Sequence, residues 1–344
     1  MEQNSVVRED LREILKEDLS WEDFRGKTVL VSGASGILPS YMVETLLILN
    51  MRGYDIHVIG LVRNVEKARH RFADWSEAEG LTLLQHDVCK PLVLEEPVDY
   101  IIHAAGQASP KFYGIDPVGT AEGHALGTAN LLRLAAEKHV RGFLYFSTCS
   151  VYGYVADGVI DESYVGRVDP MELRSCYPEG KRLGETLCVA YHHQYGVPVK
   201  ILRIAHTYGP RMPLDDGRVF ADFVGNILRG ENIELNSDGS AVRPMLYLSD
   251  AVRAYFRVLL LGNDGEAYNV VSDEETSILH LAKTLVELYP EKHLRVTHKP
   301  MGKGYLQSGE KHLHISAAKL KELGWKQHYS IREGFHRTVE SYQA

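Results

Sequence analysis

The sequence predicts an α/β protein built on a doubly wound parallel sheet, with a smaller C-terminal substrate domain. Short apolar runs alternate with longer helical patterns through the first two hundred residues, as parallel strands joined by crossover helices require. The first apolar run leads directly into a Gly33-Ala34-Ser35-Gly36 turn and then a helix. The chain has 344 residues, 44% hydrophobic and 24% charged, which suffices for a large core and one or two domains. Residues 1–25 are expected to form a helical extension, 26–205 the dinucleotide-binding domain, and 206–344 mainly the substrate domain. A strand near Tyr268–Val271 is expected to cross back to the main sheet.

The N-terminal stretch carries Val7, Leu11, Ile14 and Leu15 at helical spacing, which predicts an amphipathic helix packed on the main domain. It is charged rather than apolar, unlike a signal peptide or a membrane anchor, so a cytoplasmic protein is expected.

Residues 28–32 (TVLVS) read as the first, buried strand. In the turn that follows, Gly33, Ser35, Gly36 and Ile37 would cradle a pyrophosphate at the start of a helix running to Leu49, because glycine permits both the tight turn and close approach of backbone to the anion. Pro39 occupies the third small position of the pattern, so the helix is expected to start later or to approach differently. The second strand, 56–62, ends in Arg63-Asn64 where a carboxylate would select NAD; Arg63 could stack on adenine or meet a 2′-phosphate, which leaves NAD and NADP both open. The third strand, 81–88, places Asp87 and Val88 toward the adenine. In the fourth, 100–106, the small Ala104-Ala105-Gly106 would let the backbone pack against the cofactor. After a helix over 120–138, the fifth strand (142–153) carries Thr148 at the carboxyl end, where such sheets hold ligands.

Tyr177 and Lys181 are four residues apart and share a helix face. A lysine cation beside a phenol favours the phenolate, and such a tyrosine can take a proton from a sugar hydroxyl while hydride leaves the carbon. The net charge is −8 with both signs interspersed, and no basic stripe points to nucleic acid. A negatively charged substrate must then be met by a few local arginines. Cys89, Cys149, Cys176 and Cys188 lack metal-ligand spacing and read as reduced thiols, while the adjacent His192 and His193 point in different directions; no metal is expected.

The glycine turn, Thr148, and the Tyr177–Lys181 pair, in that order, resemble the extended short-chain dehydrogenase/reductases, in particular their nucleotide-sugar epimerase/dehydratase branch, over residues 26–335. Within it, ASPKFYGIDPVGT, YPEGKRLGETLCVAY, RIAHTYGPRMPLDDGRVFADF and VRPMLYLSDAV look like the UDP-glucuronate decarboxylases. The resemblance implies that Thr148 hydrogen-bonds the reacting hydroxyl, Tyr177 acts as its base, and Lys181 binds the nicotinamide ribose. It implies NAD as cofactor, a UDP- or dTDP-linked sugar as substrate, and a homodimer. Arg243 would meet the diphosphate or the sugar, and Ser150, His206 and Arg211 would also lie on the substrate side.

Where the decarboxylases carry a glutamate two places after the Ser/Thr, and the 4,6-dehydratases an Asp-Glu pair, this chain has Cys149-Ser150. Serine cannot readily supply acid/base work at neutral pH. The expectation is therefore chemistry at the sugar C4, as a 4-epimerase or by net redox. The alternatives are decarboxylation or an unusual elimination with Cys149 as the acid/base group, and a non-catalytic nucleotide-sugar sensor. His206 replaces an asparagine of the relatives, and Lys311 and His314 stand near their C-terminal arginine and aspartate.

Overall fold

The computed structural model describes residues 4–76, 78–155, 158–298 and 314–343. Helix α1 (Ser5–Ile14) begins at Asn4, whose side chain accepts from the Val6 and Val7 amides. The doubly wound part then runs β1 (Thr28–Ser32), α2 (Ile37–Asn50), β2 (His57–Val62), α3 (Val65–Arg71), β3 (Leu81–Gln85), β4 (Tyr100–His103), α4 (Pro117–Lys138), β5 (Gly142–Thr148), β6 (Val159–Ile160), α5 (Cys176–Tyr195) and β7 (Val199–Ile204). Beyond it lie β8 (His206–Tyr208), α6 (Val219–Arg229), β9 (Ile233–Leu235), β10 (Val242–Tyr247), α7 (Leu248–Leu261), β11 (Glu266–Val270), β12 (Glu275–Ser277), α8 (Ile278–Leu288), β13 (Val296–His298), β14 (His314–Ile315), α9 (Ala318–Glu322) and α10 (Ile331–Glu340).

The main sheet has seven parallel strands in the order β11-β7-β5-β4-β1-β2-β3. Its strand order reverses between β1 and β4, which opens a ligand crevice at their carboxyl ends. Both faces are covered, so the central strands β1, β4 and β5 are almost continuously buried rather than alternating. One face packs on α2 and α7 through Leu46, Val252 and Phe256, with α1 laid over these two helices by Val7 and Leu11; the other packs on α4 and α5 through Leu131, Leu132, Leu134 and Cys188. A separate core joins α6, α8 and α10 with β8, β9 and β10 around Phe220, Val224, Leu281 and Phe335. The crossing-back strand is β11, paired with β7 from Glu266–Lys200 to Val270–Ile204.

Several strands are shorter than their apolar runs. β3 stops at Gln85 and β4 at His103, so Asp87–Val88 and Ala104–Gly106 are loop rather than strand. β5 stops at Thr148 because the Thr148 side chain accepts from the Ser150 amide and turns the chain into a 3₁₀ helix over Cys149–Tyr152. Pro39 does not delay α2. The helix starts at Ile37, capped by Gly36, and proline falls in the first turn, where an amide has no intrahelical acceptor to miss.

The N-terminal helix is integral. Val7, Leu11 and Ile14 are fully buried, each worth about 1.5–3 kcal/mol relative to exposure. Asp10, also fully buried, accepts from Tyr247 Oη (2.8 Å), Tyr41 Oη (3.3 Å) and Arg337 Nη2 (2.8 Å), which ties α1 to α2, β10 and α10. Glu17 accepts from Arg253 and Arg257 of α7 at 2.7 and 2.6 Å.

Burial raises the Asp10 carboxyl from 3.8 to about 6, against the pull of Arg337 and the two phenols. The folded state therefore holds this proton more tightly than the unfolded chain. The stabilisation this gives is complete below pH 3.8 and is lost as pH rises through about 6. Thermal melts of the wild type and Asp10→Asn across this range should show the difference in Tm, wild type minus variant, shrinking with rising pH; a pH-independent difference would contradict the assignment.

Candidate active site

The cleft at the carboxyl ends of β1, β4 and β5 has a volume of about 510 Å³. Gly36, Ile37, Ala104 and Gly106 line one part; Thr148, Ser150, Tyr177 and Lys181 line the middle; His206, Arg218 and Arg243 line the part facing the smaller lobe. The structure thus brings together most of the residues the sequence singles out.

The glycine turn is fixed from beneath. Gly33 N donates to Leu61 O at 2.9 Å and Gly36 N to Gly33 O at 2.8 Å. Gly33 has φ +67°, and a Cβ there would sit 2.9 Å from Ala105 Cα, so the position needs glycine. Gly33, Ser35 and Ala105 are half-buried beside the cleft lining residues Gly36, Ala104 and Gly106. Ser32 Oγ accepts from the Ala104 and Ala105 amides, both at 3.1 Å, and lies 2.7 Å from His103 Nδ1. Burial, with the nearby Lys181 cation, takes His103 down to about 3, so its ring is neutral. Its Nε2 lies 3.0 Å from Thr128 Oγ1, which in turn donates to His124 O at 2.5 Å. This buried chain anchors the β1 and β4 loops to α4. A glycine cradle, closely approaching small residues and a helix start together fit a dinucleotide pyrophosphate.

α5 supplies the chemical groups. Tyr177, Gly180, Lys181, Gly184 and Cys188 form its buried face. A Cβ at Gly184 would overlap the Tyr145 hydroxyl of β5, so glycine is what lets the helix lie against the strand. Lys181 Nζ thereby reaches Phe146 O at 2.5 Å and sits 5.0 Å from the centre of the Tyr145 ring. Tyr177 is stacked on Tyr113 (5.1 Å between ring centres) and met edge-on by His124 (5.2 Å).

Burial raises the Tyr177 phenol above its ordinary value of 10.0, while a hydrogen bond with Thr148 and the Arg218 charge pull it back. Burial also brings Lys181 down to about 7, with Glu185 opposing. The expectation that Lys181 acidifies Tyr177 is not met by this geometry. The lysine is engaged with the Phe146 carbonyl, and the groups acting on the phenol are Thr148 and Arg218.

Two further expectations need correction. Cys149 lines the cleft but is poorly suited to acid/base work: its Sγ donates to Arg203 O (3.3 Å), and burial pushes the thiol far above neutrality. Arg211 is not at the substrate: its Nη1 donates to the buried Glu44 Oε1 at 2.5 Å, and it adds a longer ion pair to Asp74 (3.8 Å). Ser150 lines the cleft beside Thr148, whose Oγ1 donates to its Oγ at 3.3 Å. Arg243 lines the cleft and donates to Val242 O at 2.8 Å. His206 is open to the cleft mouth, yet the protein packed around its ring, with Arg218 and Arg243, takes it down to about 4. Its ring is therefore neutral near pH 7, with one nitrogen able to donate and the other to accept. Arg63, Asp87 and Val88 lie outside this cleft, just past the ends of β2 and β3. His314 is paired with Glu275 at the surface, and Lys311 lies outside the described residues.

Arg174, Arg218, Tyr113 and His124 are cleft residues that the sequence reading did not single out. Arg218 and Tyr113 fall in stretches that carry the family resemblance, and Arg174 stands three residues before Tyr177. No aspartate or glutamate lines the cleft among the described residues. The same residues contain no group of His, Cys, Asp or Glu placed to hold a metal ion, and no helix long and apolar enough to cross a membrane.

A glycine cradle at the switch point of a doubly wound sheet, facing a Thr-Tyr-Lys trio, defines a nicotinamide-dependent enzyme of the short-chain dehydrogenase/reductase type. The profile of the NAD dependent epimerase/dehydratase family matches residues 29–271, and the chain belongs to that family. UDP-glucuronic acid decarboxylase 3 of Arabidopsis thaliana is 36% identical over 92% of this chain and 89% of that protein. UDP-glucuronic acid decarboxylase 1 of Danio rerio is 34% identical over 91% and 72%. The solved UDP-glucose 4-epimerase of Thermotoga maritima with UDP-glucose superposes with a TM-score of 0.78 at 26% identity, covering 92% of this chain and 98% of that one. A dTDP-glucose 4,6-dehydratase of Streptomyces venezuelae with NAD bound gives 0.77 at 26%, covering 92% and 97%. The chain is an NAD-dependent nucleotide-sugar enzyme.

Tyr177→Phe should reduce turnover by about 10²–10⁴-fold, the usual worth of a positioned acid/base, while leaving nucleotide binding intact by fluorescence titration. Gly184→Ala should push α5 off β5, costing about 1–3 kcal/mol in denaturant melts and lowering activity, though residue 184 lies beneath the cleft rather than in it.

Proposed function

We propose that this protein oxidises the C4 hydroxyl of a nucleotide-linked sugar and then either returns hydride to the opposite face, as a 4-epimerase, or stops at net redox. NAD, held by the Gly33–Gly36 turn and by Lys181, supplies the hydride acceptor. Tyr177 takes the hydroxyl proton, and Thr148 holds the phenol and the hydroxyl in line through its own hydrogen bond. Arg243 and Arg218 meet the diphosphate, and their planar forks suit phosphate oxygens. His206 and Ser150 position the sugar as neutral donors and acceptors.

The observation that carries this reading is the absence of any carboxylate from a cleft lined by Arg174, Lys181, Arg218 and Arg243 among the described residues. Removing water across two sugar carbons needs a second acid/base pair beside the tyrosine, and Ser150 and the inert Cys149 thiol do not provide one.

Decarboxylation is the second reading, favoured by the relatives that cover 92% of the chain and by the cationic cleft, which suits a uronate. A ketone at C4 is itself the electron sink for loss of the neighbouring carboxylate, so this step makes less demand on a second acid than elimination does.

The two readings separate in one experiment. With UDP-glucose and UDP-glucuronate as substrates, NMR and mass spectrometry should show a product of unchanged mass inverted at C4, or a 4-keto sugar with stoichiometric reduced cofactor. A product lighter by carbon dioxide would establish the decarboxylase instead. Val118 and Leu126, two turns apart on α4, and Leu183 of α5 are exposed apolar residues that support a homodimer across these helices. Sedimentation should find twice the chain mass.

A further inference from the structure

We propose that the adenosine end of the dinucleotide site accepts a 2′-phosphate through Arg63, so that the protein binds NADP(H) about as well as NAD(H). The inference rests on the nicotinamide-site reading above and concerns a corner that reading leaves unassigned.

The glycine turn locates that corner. Gly33 N donates to Leu61 O at 2.9 Å, and the register pairs Ser32 with Leu61, so the turn and the end of β2 are adjacent backbone. A dinucleotide whose pyrophosphate sits on this turn places its adenosine ribose over the end of the second strand. A carboxylate there binds both ribose hydroxyls and repels a 2′-phosphate; an arginine does the reverse. In this chain β2 and the two residues after it, 57–64, contain no carboxylate. Val62 closes the strand with its side chain in the main core, which leaves Arg63 as the first exposed residue.

Arg63 has no ion pair among the described residues; its carbonyl, not its side chain, is used, accepting from Gln85 Nε2 at 3.3 Å. The next residue, Asn64, is committed to capping α3, accepting from Lys67 N at 2.8 Å. It cannot replace the missing carboxylate. Two acidic groups near this corner already have partners. Glu66 is paired with Arg69 at 2.7 Å, and one Asp87 oxygen accepts from Cys89 N at 3.0 Å. Asp87, Glu122 and Arg63 all act on Cys89, so the Arg63 charge stands within reach of the end of β3 as well. The net result is an unpaired guanidinium where selectivity for the unphosphorylated ribose would require an acid.

The test is equilibrium binding to the full-length protein without sugar nucleotide, using the fluorescence of NADH and NADPH. NADPH should bind within about tenfold of NADH. Arg63→Ala should weaken NADPH by about tenfold or more, the worth of one charge-assisted contact, and leave NADH within about twofold. Arg63→Glu should exclude NADPH while retaining NADH. A wild-type preference for NADH beyond tenfold would overturn the proposal, as would equal losses of both nucleotides in Arg63→Ala. Failure of both nucleotides to bind would overturn the nicotinamide-site reading along with it.

Discussion

The near contact between α5 and β5 is the constraint on which the site depends. A helix bearing ordinary side chains at positions 180 and 184 would be held off by His124 and Tyr145. With glycine at both, Lys181 reaches through the gap to a strand carbonyl and Tyr177 comes level with Thr148 at the strand end. The next turn of the same helix reinforces this approach. Glu185 accepts from Ser147 Oγ at 2.6 Å and from Arg203 at 2.8 and 3.1 Å, so the residue just before Thr148 is tied to the helix that carries the tyrosine. Arg203 continues to Tyr152, whose hydroxyl donates to Asn269 Oδ1 at 2.5 Å. Three neighbouring strands and the catalytic helix thus share one polar network.

The electrostatics of the cleft follow from what is missing as well as from what is present. A protein of net charge −8 gathers Arg174, Lys181, Arg218 and Arg243 around one crevice and puts no carboxylate among the described lining residues. The global field does not attract an anion; the local one does. Burial then sorts the titratable groups. His103 and His206 are kept neutral, Lys181 is brought to about 7, and the Tyr177 phenol is raised. A phenol held protonated by burial relies for its activation on groups brought close to it, and Thr148 and Arg218 are the protein's share of those.

Much of this architecture was legible in the sequence because it rests on local rules. Apolar runs located β1, β2 and β5, the glycine turn located the cradle, and the four-residue spacing located the Tyr-Lys face. Strand ends were harder to read, because whether Asp87 or Ala104 continues a ladder depends on a neighbouring strand far away in the sequence. Arg211 was misread for a related reason. It stands in a stretch that carries the family resemblance, but its partner, Glu44, is 167 positions away and buried, and no periodicity reveals that. Lys181 was assigned its partner by helical spacing and family resemblance, and neither reveals the Phe146 carbonyl beneath the helix, to which its ammonium donates.

The Glu44–Arg211 pair also bears on how the lobes can move. Glu44 is fully buried on the helix that follows the glycine turn, and Arg211 belongs to the segment leading to Arg218 and the smaller lobe. Removing either partner would strand a carboxylate or a guanidinium inside the protein, at about 3–5 kcal/mol. The pair thus works as a latch, fastening the helix after the glycine turn to the segment that leads into the smaller lobe.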